Sequence, residues 1–126
     1  KAIANTREYI DVHVAEAQKM NKPLVLEEFG LPRDSVMFDR KSSTVLRDRY
    51  YEEIFEIVKE HAIQKSVFQG CNFWAWGGFA QPQKGDDYMG DPGQEEQGLN
   101  SVYDTDTTVK LVADIVNEIN QITQMK

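Results

Sequence analysis

The sequence predicts an α/β fold with parallel strands, and three observations support this prediction. Two short apolar segments, residues 22–30 and 68–78, contain or border the turn formers glycine and proline, as buried strands do. Three longer segments with apolar residues every three or four positions alternate with them, as amphipathic helices do. A strand–helix–strand crossover makes the strands parallel, and two strands cannot close a sheet, so the 126 residues are predicted to form part of an eight-stranded (β/α)8 barrel.

The composition narrows the class of protein. Hydrophobic residues make up 40% and charged residues 28%, which is typical of a globular chain rather than a disordered or membrane-spanning one. The net charge is −7 and no basic cluster is present, which argues against a nucleic-acid partner. The single cysteine, Cys71, excludes an internal disulfide and is predicted to be a small buried residue rather than a nucleophile.

The first helix is predicted over residues 5–20. Asn5 or Thr6 can cap its start, and Asn21 is predicted to end it. The neighbouring His13 is predicted to be structural rather than a metal ligand. The apolar face is formed by Ile10, Val14 and Ala17.

The first strand, residues 22–30, ends in two adjacent carboxylates, Glu27 and Glu28. Because side chains alternate along a strand, Leu24, Leu26 and Glu28 are predicted to share one face. If that face lines the barrel interior, Glu28 lies at the carboxyl-end mouth, where parallel barrels keep their active sites. The alternative is a strand with a solvated acidic end.

A polar loop and a long helix follow. In the loop, residues 31–43, Arg33 and Asp34 are candidates for contacts in a substrate cleft, although a surface ion pair also explains them. The helix is predicted to run from a cap at Ser43 or Thr44 to about Gln64, with Arg47 among the residues of its solvated outer face. Its predicted inner stripe consists of Leu46, Tyr50, Ile54, Ile57, Val58 and His61 or Ala62.

The second strand, predicted over residues 68–78, carries two tryptophans. Alternation places Asn72, Trp74 and Trp76 on one face, which is the side of Glu28 if the strands are parallel neighbours. An indole face suits the apolar C–H face of a sugar ring. The alternative places both rings in the core, but two tryptophans at a strand end before a long polar loop favour a binding role.

That polar loop, Phe79 to Ser101, is predicted to form a wall of the cleft. The spacing of its acids fits no EF-hand loop, so a metal site is not predicted. A last helix follows Asp106, and its wide apolar stripe predicts packing against other elements. The stripe consists of Thr108, Leu111, Val112, Ile115, Val116, Ile119 and Ile122.

The two strand ends resemble the seventh and eighth strands of glycoside hydrolase family 5 enzymes. The segments Leu26–Gly30 and Asn72–Gly78 carry this resemblance, and residues 85–92 and 97–106 are similar to the endo-β-1,4-mannanase branch. The resemblance covers nearly the whole chain. It implies that residues 1–126 are the carboxyl-terminal part of a (β/α)8 TIM barrel, comprising helix 6, strand 7, helix 7, strand 8 and helix 8.

The resemblance also implies a function. The expected reaction is hydrolysis of β-1,4-mannan with retention of configuration, with Glu28 as the nucleophile that attacks the anomeric carbon. Trp74 is implied as the platform under the sugar that is cleaved, and Trp76 is a second candidate for substrate contact. The family leads us to expect a polysaccharide substrate, no cofactor, no metal, and secretion to the periplasm or the cell exterior.

One part of the family pattern is missing. The family's acid/base glutamate follows an asparagine at the end of the fourth strand, whereas the Asn-Glu pair here, Asn117–Glu118, lies in the predicted last helix. We therefore expect the chain alone to be inactive, with the remainder of the barrel as its partner or with self-association of its apolar faces. Turnover of mannan by the 126-residue chain, abolished by Glu28→Ala, would refute this expectation.

Two other functions stay open at this stage. One is a cellulase or β-glucanase of the same clan, which a comparison of mannan and cellulose hydrolysis separates from a mannanase. The other is a non-catalytic glycan-binding or assembly module, in which Trp74 and Trp76 bind glycan and Glu28→Gln changes nothing. The sequence does not determine which mannan is used or how many sugar subsites exist.

Overall fold

The computed structural model describes residues 2–79, 96 and 98–124. None of the helices in these ranges is long and apolar enough to cross a membrane. The elements in chain order are α1 (Ala2–Met20), β1 (Leu24–Phe29), a single 3₁₀ turn (Asp34–Val36), α2 (Val45–Ile63), β2 (Phe68–Phe73), β3 (Trp76–Gly78), β4 (Val102–Tyr103) and α3 (Thr107–Gln124).

The two longer strands, β1 and β2, lie side by side and run parallel, so the predicted α/β class is confirmed. Leu26 pairs with Cys71, and Phe29 pairs with Phe73. The predicted second strand is not continuous, because β2 ends at Phe73 and Trp76 starts β3, which pairs in parallel with β4. Strand β4 was not predicted, since a two-residue strand is too short to show periodicity.

The core lies on one side of the β1–β2 pair, between the strands and the helices. Leu24 and Leu26 pack into this core, whereas Val25 is 45% exposed on the other side. The sequence left open whether the face of Leu24 and Leu26 lines the barrel interior. In the structure this face packs against the helices, whose apolar stripes need cover. The buried core residues of the two clusters are Ile10, Val14, Phe29, Tyr51, Ile54, Phe55, Ile57, Val58, Phe68, Val102 and Ile115.

Helix α2 begins at the predicted Thr44 cap but buries a different arc at its start. Leu46, predicted to face inward, is 62% exposed, whereas Arg47, predicted to face solvent, is fully buried. Tyr51 and Phe55 are also buried, because α2 packs against α3 as well as the strands. A helix with two packed neighbours buries more than one apolar stripe.

Helix α1 starts earlier than predicted but ends where the sequence indicated. It begins at Ala2, so Asn5 lies inside the helix and does not cap it. At the other end Asn21 has a left-handed φ of 53°, and the Lys22 amide donates a hydrogen bond to the Ala17 carbonyl at 3.0 Å. This geometry is the usual helix stop with asparagine in the left-handed position. The three predicted apolar residues of α1 are buried.

Candidate active site

Glu28 lies at the carboxyl end of β1, where the strand departs from regular alternation. The pairing register shifts between Leu26 and Phe29, and Glu28 has a φ of 58°. Leu26 and Phe29 both pack against the helices, so one extra residue is accommodated between them, as in a β-bulge. The Glu28 side chain is exposed, whereas regular alternation would have placed it beside Leu26 on the helix side. The bulge, and not alternation, presents this carboxylate.

A cleft of about 350 Å³ opens beside Glu28, between the start of α1 and the end of β1. Its polar lining comes from Asn5, Thr6, Glu27 and Glu28. The hydroxyls of Thr6 and Tyr50 are 3.2 Å apart and link α1 to α2 at its wall. The apolar lining consists of Tyr9, Leu26, Phe29 and the Tyr50 ring. Carboxylate, amide and hydroxyl groups beside aromatic rings are the groups that bind a sugar.

Just past Glu28 the chain passes so close to the end of β2 that only glycine fits. A Cβ atom on Gly30 would lie 2.2 Å from the backbone oxygen of Trp74. The Trp74 amide donates a hydrogen bond to the Phe29 carbonyl at 2.7 Å. These backbone contacts bring the carboxyl ends of β1 and β2 together beside Glu28.

The continuous strand that would place Trp74 and Trp76 on one face is absent. Trp74 follows β2, its peptide bond to Ala75 is cis, and Trp76 starts β3. The Trp76 ring is 47% exposed and stands edge-on to Phe79, with ring centroids 6.0 Å apart. It lines an apolar cavity of about 310 Å³ together with α3 side chains, away from the cleft beside Glu28. The binding roles of both tryptophans stay predictions.

Next to the strand ends lies a buried charge cluster, formed by Arg33, Arg47 and Asp106. Their exposed fractions are 2%, 0% and 8%. Asp106 Oδ1 accepts a hydrogen bond from Arg33 Nη2, and Oδ2 accepts one from Arg47 Nη2 at 2.7 Å and one from the Tyr103 amide at 2.9 Å. The sequence analysis missed this cluster, because no local pattern reveals a pairing between residues so far apart in the chain.

Arg33 and Asp34 hold the loop after β1 in place. They form neither the contacts in a substrate cleft nor the surface ion pair that the sequence suggested. Arg33 is buried in the charge cluster and donates through Nη1 to the Ser42 carbonyl at 3.2 Å. Asp34 Oδ1 accepts a hydrogen bond from the Leu46 amide at 3.0 Å, at the start of α2. The hydrogen bond from the Ser43 hydroxyl, together with those from the first amides of α2, holds the pKa of Asp34 below its ordinary value.

Two further groups that the sequence analysis considered lie outside the site. His13 is exposed, and its Nδ1 is 2.8 Å from the Tyr9 carbonyl oxygen. Burial raises the pKa of the Cys71 thiol to about 12, so the thiolate needed for nucleophilic attack is scarce at neutral pH.

Within residues 2–79, 96 and 98–124, no three histidine, cysteine, aspartate or glutamate side chains are grouped as metal ligands would be. Most of the predicted cleft wall, residues 79–101, lies outside the described residues.

A larger cleft, of about 570 Å³, lies at the opposite end of the strands. It is bordered by the last turns of α2 and α3 and by the start of β2. Its described lining includes His61, Lys65 and Phe68 but no carboxylate. Because acid–base and nucleophilic chemistry on a sugar needs carboxyl groups, we place the candidate active site at Glu28 despite the smaller cleft there.

Comparisons with known proteins agree on one family. A family model described as GH family 5 beta-mannosidase-like matches residues 1–124. The glycoside hydrolase family 5 mannosidase from Rhizomucor miehei is 29% identical, with a TM-score of 0.89 over 99% of this chain and 33% of that chain. A glutamate-to-alanine variant of that mannosidase, in complex with mannosyl-fructose, gives 29% identity and a TM-score of 0.88 over 98% of this chain and 32% of that chain.

A second glutamate-to-alanine variant of the Rhizomucor miehei mannosidase gives the same identity and TM-score, over 98% of this chain and 33% of that chain. The chain thus spans about a third of the length of these structures. No curated protein sequence matches the chain.

Proposed function

The chain belongs to glycoside hydrolase family 5, and from this membership we propose that it forms the carboxyl-terminal third of a (β/α)8 barrel that hydrolyses β-mannosidic bonds. In this proposal α1 is the sixth helix, β1 and α2 are the seventh strand and helix, and β2 and α3 are the eighth strand and helix. The parallel pairing of β1 with β2 supports the assignment, as does the coverage of about a third of the mannosidase chains. Active sites of such barrels lie at the carboxyl ends of the strands, where Glu28 is found.

We assign Glu28 as the nucleophile, and the bulge at its position carries the assignment. A glutamate at a φ of 58° is uncommon, and a backbone outlier of this kind costs about 1–3 kcal/mol, which the fold must offset elsewhere. Bulges beside active sites re-aim a side chain. Here the bulge turns Glu28 away from the core while Phe29 stays buried.

The reaction then proceeds in two steps. A Glu28 carboxylate oxygen forms a bond to the anomeric carbon as the glycosidic C–O bond breaks, while a second carboxyl group, ~5 Å away, gives its proton to the leaving oxygen. Water next attacks the anomeric carbon and loses a proton to the second carboxylate, which releases Glu28. Two inversions at one carbon give retention of configuration.

The second carboxyl group is proposed to lie outside these 126 residues, so the chain alone does not turn over substrate. The two solved variants of the Rhizomucor miehei mannosidase replace glutamates about 100 residues apart in that enzyme. Only 27 residues precede Glu28 here. The remainder of the barrel is therefore the proposed partner, and it supplies the acid/base.

Two forms of this function differ in where the enzyme cuts a mannan chain, at internal bonds or at the chain end. The sequence motifs favour an endo-acting β-1,4-mannanase, whereas the matching family model is described as beta-mannosidase-like and the solved neighbours are mannosidases. Reduced mannohexaose distinguishes the two, since an endo-acting enzyme yields a mixture of oligosaccharides from the start. An exo-acting enzyme releases mannose one residue at a time. Parallel assays on cellulose test the same-clan cellulase.

The deciding experiment traps the intermediate. The chain is expressed with the coding sequence that precedes Lys1 and treated with 2,4-dinitrophenyl 2-deoxy-2-fluoro-β-mannoside. Its fluorine slows both steps, and its good leaving group keeps the first step fast enough for the intermediate to accumulate. We expect stoichiometric inactivation, a fluoromannosyl adduct mapped to Glu28 by peptide mass spectrometry, and β-mannose as the first product from an unmodified aryl mannoside. An adduct on another residue, or α-mannose as the first product, contradicts the assignment. A protein that binds mannan but hydrolyses nothing is the non-catalytic module.

A further inference from the structure

We infer that Asp106 is a positioning residue of the proposed active site, and this inference rests on the proposed function. Asp106 lies in the turn before α3 and is not among the residues that line the cleft beside Glu28. Its carboxylate joins two segments that must keep a fixed relation for catalysis. One is the loop that leaves the Glu28 strand, and the other is β4, which pairs with the strand of Trp76.

On the first side, the bond from Arg33 to Asp106 fixes the loop close to Glu28. Arg33 follows Glu28 by only five residues. A second donor of the same guanidinium binds the Ser42 carbonyl at 3.2 Å, so Arg33 also ties the start of the loop to its end. Within the loop Val36 has a φ of 57°, which a β-branched residue rarely adopts. A loop in this conformation needs tertiary contacts to keep its shape.

On the second side, Asp106 fixes β4 and through it the segment after β2. Its Oδ2 accepts a hydrogen bond from the Tyr103 amide at 2.9 Å. The Val102 amide donates to the Ala75 carbonyl at 2.9 Å, between Trp74 and Trp76. The position of the tryptophan segment therefore depends on β4, and that of β4 depends on Asp106.

The charges around Asp106 require a carboxylate at this position. Arg33 and Arg47 are both buried, and Asp106 contacts both guanidinium groups. The Thr108 hydroxyl accepts from Arg47 Nε at 3.2 Å and gives its one proton to Asp48. Without the Asp106 charge, two buried cations lose their shared partner, and the loop and β4 lose their common anchor.

The kinetic test compares Asp106→Asn with a matched control, Asp48→Asn, in the protein that includes the sequence preceding Lys1. Asp48 joins the starts of α2 and α3 by accepting hydrogen bonds from Thr44, Thr107 and Thr108, none of which belongs to β4. At a temperature where circular dichroism shows both variants folded, we expect Asp106→Asn to lower kcat on an aryl β-mannoside about 10–100-fold, with KM within about threefold. Asp48→Asn is expected to keep kcat within about twofold.

A second readout does not depend on activity. The protein is labelled with 5-fluorotryptophan, and the ¹⁹F resonances of Trp74 and Trp76 are assigned through their phenylalanine variants. We expect Asp106→Asn to shift or broaden these two resonances, whereas Asp48→Asn leaves them unchanged. If the wild-type protein hydrolyses no mannoside, the proposed function fails, and the ¹⁹F spectra decide whether Asp106 positions the strand ends.

Two results overturn the inference. One is unchanged kcat and unchanged ¹⁹F spectra in Asp106→Asn. The other is equal effects of both variants, which would mean a general loss of stability. If Asp106→Asn does not fold, Arg33→Met, which removes only the loop side of the bridge, is measured in its place: a lowered kcat is expected, and an unchanged kcat overturns the inference.

Discussion

Glu28 and Asp106 are both carboxylates near the strand ends, but their surroundings are opposite. Asp106 is buried and accepts hydrogen bonds from Arg33, Arg47 and the Tyr103 amide. Glu28 is exposed, lies on a strained backbone and accepts no hydrogen bond within the described part of the chain. The carboxylate that holds the fold together is bound by the protein, and the one that we propose to react is left open to solvent.

Glu28→Ala is expected to separate activity from stability most strongly. In the protein that includes the sequence preceding Lys1, loss of the nucleophile should lower kcat on an aryl β-mannoside roughly 10⁴-fold or more, while the free energy of unfolding changes by about 0.5 kcal/mol or less. Added azide should restore turnover and give α-mannosyl azide, because it attacks from the vacated side. Glu27→Ala is the matched control, with kcat within about tenfold of wild type. Equal losses in both variants contradict the assignment of Glu28.

Asp106→Ala is expected to show the reverse pattern, with the main loss in stability. Removing the carboxylate leaves Arg33 and Arg47 buried without a counterion, so chemical denaturation should show a loss of about 3–5 kcal/mol in unfolding free energy. Glu118→Ala breaks an exposed ion pair with Lys59 and should cost less than about 1 kcal/mol. Similar costs for the two variants would show that the buried cluster does not hold the fold.

Gly30→Ala tests the close contact between the carboxyl ends of β1 and β2. The new Cβ would lie 2.2 Å from the Trp74 backbone oxygen, so β1 and β2 must separate at this point, at an expected cost of about 1–3 kcal/mol in unfolding free energy. Gly70→Ala is the control, because no atom lies within 4 Å of the added Cβ. Thermal unfolding of both variants measures the difference. An unchanged Gly30→Ala protein would contradict the close approach of the strand ends.

Asp34 is the intermediate case, a partly exposed carboxylate that is hydrogen-bonded, and it should give the smallest effect. Its pKa is lowered in the folded state, so it stabilises the fold above its unfolded-state pKa, and this contribution is lost as the pH falls through the folded-state pKa. We expect wild type to exceed Asp34→Asn in stability at neutral pH and the difference to vanish in strong acid. Denaturation curves between pH 7 and about pH 2 measure it. A difference that grows on acidification contradicts the capping role of Asp34.

Local sequence patterns were sufficient for most elements but not for the helix faces. Ile10, Val14 and Ala17 were assigned correctly from their spacing, because α1 buries one narrow stripe. The same reasoning put Leu46 inside and Arg47 outside, and the structure reverses both. The burial of Arg47 depends on Asp106 and on the Ser101 carbonyl, which it meets at 3.1 Å, and neither is visible from the sequence around α2.

The candidate site, too, was visible only in part from the local sequence. The residues Glu-Glu-Phe-Gly at a strand end made Glu28 a candidate from the sequence, but regular alternation does not present its side chain, since Leu26 faces the helices and a bulge re-aims Glu28. The Trp74 and Trp76 pair was visible in the sequence, whereas the strand break between them was not. The role of Glu28 as nucleophile stays a prediction.

The order of helices and parallel strands, the position of the paired carboxylates and the resemblance to one enzyme family could all be read from the amino-acid sequence. These features follow from residue spacing and short motifs, which act over a few residues. The tertiary structure alone decided which side of β1 faces the helices, how Glu28 leaves the sheet, and that one carboxylate, Asp106, anchors both strand-end segments. Such features depend on contacts between residues far apart in the chain, such as Phe29 and Tyr51 or Arg33 and Asp106, which form only when the chain packs.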